Sequence, residues 1–188
     1  GSHLSDSLSK IPVGNLIVVD NLFIGIKENL CLLKNFKKFK FFNDNATDSN
    51  ILLHLIEEFQ IEIVFNCATK PLNYSFINPK SAFDVNTKIT LNLLELQRLN
   101  KFESLCHFST SEVYGTSMME EMNESHPLNP TTPYAAGKLA ADMAVLSYHK
   151  TFDLDAFIVR PFNNFGPRQN RYPPLAGIIP ITISRIQD

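Results

Sequence analysis

The chain has 188 residues, 44% of them apolar and 19% charged, and a net charge of −2. That length allows one domain with a sizeable core, and the charge gives no ground for a nucleic-acid or acidic-membrane partner. Cys31, Cys67 and Cys106 are odd in number, widely spaced and without a C-x-x-C pair. They argue against a disulfide framework or a metal site and fit a reducing cytoplasm. No apolar run approaches the roughly 18–20 residues that cross a bilayer, and no secretory signal is visible.

In chain order, the opening GSHLSDSLSK places Leu4 and Leu8 at i, i+4, as in a short amphipathic helix. LIVVD at 16–20 is a continuous apolar run ending in a carboxylate, the pattern of a buried parallel strand. LLKNFKKFKFF is locally basic and amphipathic, and residues 39–42 within it read as a second short strand. Turn residues follow, then a helix over about 50–60 with Ser49 or Asp48 as its N-cap. Residues 61–67 form the next strand, and Pro79 opens a long helix at the favoured first position. Asn86 lies among Phe83, Val85, Ile89 and Leu93, where a polar residue needs a partner. Residues 103–110 are a strand that delivers STSEVYG at its carboxyl end, where open α/β sheets bind ligands. The segment 125–133 leads into a helix starting at Pro133, and 155–160 is the last strand.

Within the helix after Pro133, Tyr134 and Lys138 stand four apart and so share one face. A phenol ionises near pH 10, and a fixed ammonium beside it favours the phenolate. Tyr134 could then exchange a proton with an alcohol near neutral pH, with Thr110 hydrogen-bonded at the same oxygen. Ala135, Ala136 and Gly137 leave little bulk between the pair, which suits either a ligand lying on the helix or close helix packing.

FSTSEVYG, then YAAGK after a Pro-x-x-Pro approach, then RPFNNFGPRQN follow one another in one order. Together they resemble the extended short-chain dehydrogenase/reductase family, specifically its nucleotide-sugar epimerases, dehydratases and decarboxylases. The resemblance implies an α/β fold with a Rossmann-type doubly wound parallel sheet, NAD as cofactor, a nucleotide-sugar substrate and a homodimer built on helices near 80–100 and 133–150. It implies an NAD-binding domain over 1–166 and the start of a substrate-binding region over 167–188. Gly1-Ser2-His3 reads either as a tag scar or as the end of the family's glycine-rich turn. On the second reading the first strand and most of the substrate domain are expected to be lacking, and the chain is expected to be part of a longer enzyme.

The same resemblance carries roles onto single residues. Gly1 would be the last glycine of the phosphate-binding turn. Asp20, 19 residues on, would take the adenosine ribose and favour NAD over NADP; Asn21 and Gly25 match the loop that follows. Asp44 and Asn45 stand near the place of an adenine-contacting acid, in a shifted register. Ala68, Lys70, Asn86 and Pro161 would line the nicotinamide side, with Cys67 a mild departure from the family's small residues. Asn86 would either touch the cofactor or order the catalytic loop. Asn163 and Arg168 would meet the nucleotide sugar, together with Thr110.

For catalysis, Tyr134 would take the O4 proton of the sugar, Lys138 would lower the phenol's pKa and hold the nicotinamide ribose, and Thr110 would steady O4; Tyr134 counts with Lys138 among the cofactor-binding residues. Glu112 would remove the C5 proton of a 4-keto sugar and serve twice, because Ser111 stands where some dehydratases have Asp; a carboxylate capping its own turn is the plainer reading. The phrases around Tyr134 and Asn163 tilt the expectation toward a 4,6-dehydratase, with 4-epimerase and sugar-acid decarboxylase left open. A non-catalytic Rossmann binding module, or an inactive fragment, is the alternative of another class.

Overall fold

A computed structural model describes residues 1–187. The chain resolves into two compact units, one of residues 1–62 with the segment from 165 onward, the other of residues 63–164.

In the first unit, α1 (Ser2–Leu8) precedes β1 (Leu16–Val19), a 3₁₀ stretch (Lys27–Asn35), β2 (Phe39–Phe42) and α2 (Ser49–Glu58). β1 and β2 pair in parallel, with Leu16 opposite Phe39 and Val19 opposite Phe42. The basic run LLKNFKKFKFF passes from the end of the 3₁₀ stretch into β2, and Leu30 and Leu33 pack against Leu16, with Phe36, Phe39 and Phe41 around them. Lys27, which opens the 3₁₀ stretch, lies over the Phe41 ring and Lys40 over the Phe59 ring. Asp48 is the cap of α2, its carboxylate accepting from the Asn50 N–H. α1 buries Ser5 and Asp6 more fully than the expected Leu4 and Leu8. The reason is an ion pair within this unit, Arg168 Nη2 to Asp6 Oδ2 at 2.6 Å.

In the second unit, β3 (Ile63–Asn66), β4 (Ser104–Phe108) and β5 (Asp155–Val159) form a parallel sheet in that order. Phe65, Cys106 and Phe157 stand in register across it. Two long helices, α4 (Pro79–Arg98) and α5 (Pro133–Phe152), supply most of the core. Both start on proline with a side-chain cap one residue earlier: Asn78 accepts from the Ser81 N–H, and Thr132 accepts from the Ala135 N–H. Ala82, Ile89, Leu93 and Leu94 of α4, Ala135, Ala141 and Val145 of α5, and Leu105 of β4 are buried. At the far end, the Gln97 amide donates to the carbonyls of Glu103 and Asp155 and ties the starts of β4 and β5 together. A short helix not foreseen from the sequence, α3 (Leu72–Ser75), interrupts the loop after β3, and α6 (Ile178–Gln187) ends the described chain in the first unit.

These are the parallel strands and covering helices expected of a Rossmann-type fold, and each adjacent strand pair is one the expected order contains. Among the described residues no helix is long and apolar enough to cross a membrane.

The close-packing reading of the small residues in α5 holds at Gly137. A Cβ there would lie 2.9 Å from the Phe83 Cα and 3.0 Å from its carbonyl oxygen on α4, and the Thr87 hydroxyl donates to the Gly137 carbonyl at 3.2 Å. The obstacle is backbone, so the helices must part. Gly137→Ala is expected to destabilise by about 1–2 kcal/mol although alanine is the better helix former. Urea unfolding of the two proteins checks this.

Candidate active site

The second unit brings Tyr134, Lys138, Thr110, Glu112, Lys70, Asn86, Ala68, Pro161 and Asn163 into one body. β4 ends at Phe108 and the chain turns through Ser109 and Thr110 into a 3₁₀ turn, Ser111–Tyr114. The Ser109 N–H donates to the Val159 carbonyl and the Ser111 N–H to the Pro161 carbonyl, so this turn is fastened to the end of β5. Gly115 closes it at φ 68°, where a Cβ would strike the Asn129 carbonyl oxygen.

The Thr110 hydroxyl caps that turn by accepting from the Glu112 N–H at 3.2 Å. Its proton remains to be donated, and the Tyr134 phenol lies within its reach, as it does for the Thr69 hydroxyl. Glu112 does not cap its own turn: no hydrogen bond from the described residues holds its half-buried carboxylate.

Lys138 is 2% exposed, and its ammonium donates to the carbonyl of Phe108, the last residue of β4, at 2.7 Å. Burial pushes its pKa down to about 8, while Asp142 and Cys67 act in the opposite sense. The amine therefore remains mainly charged at neutral pH. The sequence-based expectation for Tyr134 is reversed. Burial drives the phenol above its ordinary value; the Thr110 and Thr69 hydroxyls pull it back, and the charge of Glu112 pushes it further up. Tyr134 thus carries a phenol that burial raises, one helical turn from a buried ammonium.

Asn86 holds the loop that follows β3. Its Oδ1 accepts from the Lys70 N–H at 2.7 Å and from the Thr69 hydroxyl at 3.2 Å, and its amide donates to the Lys70 carbonyl at 3.1 Å. Thr69, which sequence reading passed over, is thereby aimed at Tyr134; only its place beside Lys70 could have drawn attention to it. The Lys70 amine lies 5.0 Å from the Tyr74 ring centroid, and burial lowers its pKa. Cys67 and Ala68 are half-buried at the start of this loop, and burial raises the Cys67 thiol. Pro161 is half-buried and Asn163 exposed. Sequence reading also missed the buried polar set behind the site, described below.

The remaining candidates lie in the first unit. Gly1 is the exposed N-cap of α1, and its carbonyl accepts from the Ser5 N–H. Asp20 follows β1. One carboxylate oxygen takes the Leu22 N–H at 2.7 Å, and Gly25 comes so close that a Cβ there would be 2.9 Å from that carboxylate. Asn21 accepts from the Phe23 N–H. Arg168, held by Asp6, is at φ 67°. Taken unit by unit, the residues suit NAD: in the first, Asp20 keeps acceptor capacity for a ribose diol; in the second, Lys138 keeps N–H donors beyond its bond to Phe108, and the buried Ser109 hydroxyl has no partner among the described residues.

Residues 1–187 match a family model described as GDP-mannose 4,6 dehydratase. The chain is 34% identical over 183 residues to the UDP-glucose 4-epimerase of Mycolicibacterium smegmatis, covering 96% of this chain and 58% of that protein. It is 34% identical over 194 residues to the dTDP-D-glucose 4,6-dehydratase of Dictyostelium discoideum, covering 92% and 43%. A dTDP-glucose 4,6-dehydratase from Streptomyces venezuelae, solved with NAD bound, superposes with a TM-score of 0.88 at 28% identity, covering all of this chain and 59% of that one. The chain thus spans about half the length of the relatives it matches.

The depressed Lys138 pKa has a consequence for stability. A lysine whose folded pKa lies below its unfolded value leaves the unfolded state with more bound protons between the two, so stability rises with pH across that window, here from about 8 to above 10. Lys138→Met removes the contribution. The stability advantage of the Met variant over the parent is expected to shrink by about 2–3 kcal/mol between pH 7 and 10, as read from denaturant unfolding at each pH.

Proposed function

The chain belongs to the GDP-mannose 4,6 dehydratase family, and we propose that its Tyr134–Lys138 site acts on a nucleotide sugar with NAD as cofactor, as a 4,6-dehydratase. The observation that carries the choice is Glu112. Its carboxylate stands in the turn beside Tyr134 while Thr110 does the capping, and elimination needs such an unengaged base.

When bound, NAD would accept the hydride from C4 and return it to C6 after water has left, which with a proton taken up at C5 gives the 4-keto-6-deoxy sugar. The chain's own part is to place and move protons. Tyr134 takes the proton of the sugar's O4 hydroxyl, and the Thr110 hydroxyl favours the phenolate that this requires against the burial that opposes it. Lys138 adds a buried positive charge one turn along the helix. Once C4 is a ketone, Glu112 removes the acidified C5 proton and delivers it to the departing C6 oxygen, which leaves as water. Ser111 offers no acid of its own for that second step.

A 4-epimerase is the second reading, favoured by the 34% identity to an enzyme of that name; it needs Tyr134 and Lys138 but no C5 base. Decarboxylation of a sugar acid follows the same first step. A non-catalytic module is opposed by the presence of both Tyr134 and Lys138. The reading extends to a homodimer on α4 and α5, which expose Leu91, Met143 and Leu146, and to a reducing cytoplasm, in keeping with Cys31, Cys67 and Cys106 as free thiols.

The test is product NMR with dTDP-, GDP- and UDP-hexoses in the presence of NAD+. A 4-keto-6-deoxy sugar is expected. Tyr134→Phe should lower turnover by about 10²–10⁴-fold while leaving NAD+ binding intact, and Glu112→Gln should stop elimination. A 4-epimer formed equally well by Glu112→Gln would replace dehydration with epimerisation, and turnover untouched by Tyr134→Phe would remove the enzyme reading.

A further inference from the structure

Behind the site lies a set of buried polar groups that the proton chemistry does not use. Asp142 sits on α5 one turn beyond Lys138 and two beyond Tyr134, and it is fully buried. Its Oδ2 accepts from Arg160 Nε at 2.8 Å. Arg160 directly follows β5, and its Nη1 donates to the Tyr114 hydroxyl at 3.1 Å while the guanidinium lies 5.1 Å from the Tyr114 ring centroid. Tyr114, 3% exposed, closes the turn that carries Thr110 and Glu112 and is wedged between His126 and Phe162. On the other side of Asp142, His107 Nε2 of β4 is 3.5 Å from Oδ1. Burial keeps that imidazole below its ordinary range, and Asp142 only partly offsets this; Arg160 is the cation bonded to Asp142, whose charge also favours the Lys138 ammonium.

We propose that Tyr114, Arg160 and Asp142 form a positioning strut that sets the distance between the turn bearing Thr110 and Glu112 and the helix bearing Tyr134 and Lys138. A buried ion pair is a weak stabiliser compared with apolar residues of the same volume. What this one adds is direction. The guanidinium is a rigid fork; one tine meets the helix, the other meets the turn, and its stem leaves the end of β5. Beyond the contact of Thr110 with Tyr134 itself, the turn has no other side-chain tether to α5 among the described residues. Its backbone is fastened to the end of β5 through the Ser109 and Ser111 N–H groups, and to the segment before α5 where the Asn129 N–H donates to the Val113 carbonyl. The strut therefore governs whether the Thr110 hydroxyl stays at the Tyr134 phenol. None of the three touches a reacting atom, so they are positioning residues.

Tyr114→Phe deletes one hydroxyl and keeps the ring. The readout is the titration of the Tyr134 phenol, followed by NMR of 13C-labelled tyrosine and assigned by comparison with Tyr134→Phe. Thr110 favours the phenolate, so a turn freed from Arg160 withdraws that help and the midpoint moves up. A rise of about half a pH unit or more is expected. Arg160→Lys, which keeps the charge but cannot span both partners, should shift it likewise. A purely structural role would lower stability and leave the midpoint within about 0.2 units of the parent, and that result in either variant overturns the strut. Should both variants fold poorly, amide hydrogen exchange of the parent decides: the Ser111 and Gly115 amides must open with the same free energy as those of α5, and opening far more easily overturns it. The strut rests on the proposed function only in naming Tyr134 as the proton-exchanging group. The titration uses neither cofactor nor sugar, so absent turnover would count against that function and leave the strut standing.

Discussion

The hydrogen bond from the Lys138 ammonium to the Phe108 carbonyl fixes what the second unit can do. It joins the helix carrying Tyr134 to the strand whose end becomes the Thr110 turn, and it is made by a charged group with almost no solvent. Such a charge is expensive to bury unless its protons are bonded or its pKa falls. Here both occur: one N–H meets the carbonyl, and the pKa drops to about 8. A lysine placed for stability alone would have reached water, as long amines ordinarily do.

Around that contact the unit is built as a rigid frame for polar groups. α4 and α5 close on each other across Gly137, where backbone meets backbone, and the Thr87 hydroxyl binds both the Phe83 and Gly137 carbonyls. Inside, Asn66 donates to the Thr90 hydroxyl and lies 3.2 Å from His107 Nδ1, and Thr90 in turn bonds the Asn86 carbonyl. A chain of polar side chains thus runs from β3 through α4 to the loop that presents Thr69. Networks of this kind constrain geometry because each member loses its partner if one moves. The result is a phenol whose two hydroxyl neighbours, Thr110 and Thr69, are delivered by separate loops, each anchored in the core.

Much of this was legible beforehand, for identifiable reasons. The continuous apolar run LIVVD marked β1, the Asp48 cap marked α2, and Pro79 and Pro133 marked the starts of the long helices. The family resemblance rested on phrases flanking Tyr134 and Lys138, and the second unit holds FSTSEVYG and YAAGK within one body. The misses are long-range. Asp6 was hidden because an isolated helix shows Leu4 and Leu8 as its apolar side, whereas Arg168, distant in sequence, draws the acid inward. The phenol's pKa was misjudged because spacing on a helix reports the ammonium's proximity but not the burial that outweighs it. Thr69 gains its role only through Asn86, 17 residues on.

The measurement that bears most directly on this account is a calorimetric titration of NAD+ into the chain, beside Lys138→Met, with circular dichroism to confirm folding. The account predicts saturable binding near the micromolar range, about 8 kcal/mol, weakened in the variant. A well-folded chain that takes up no NAD+ would contradict it.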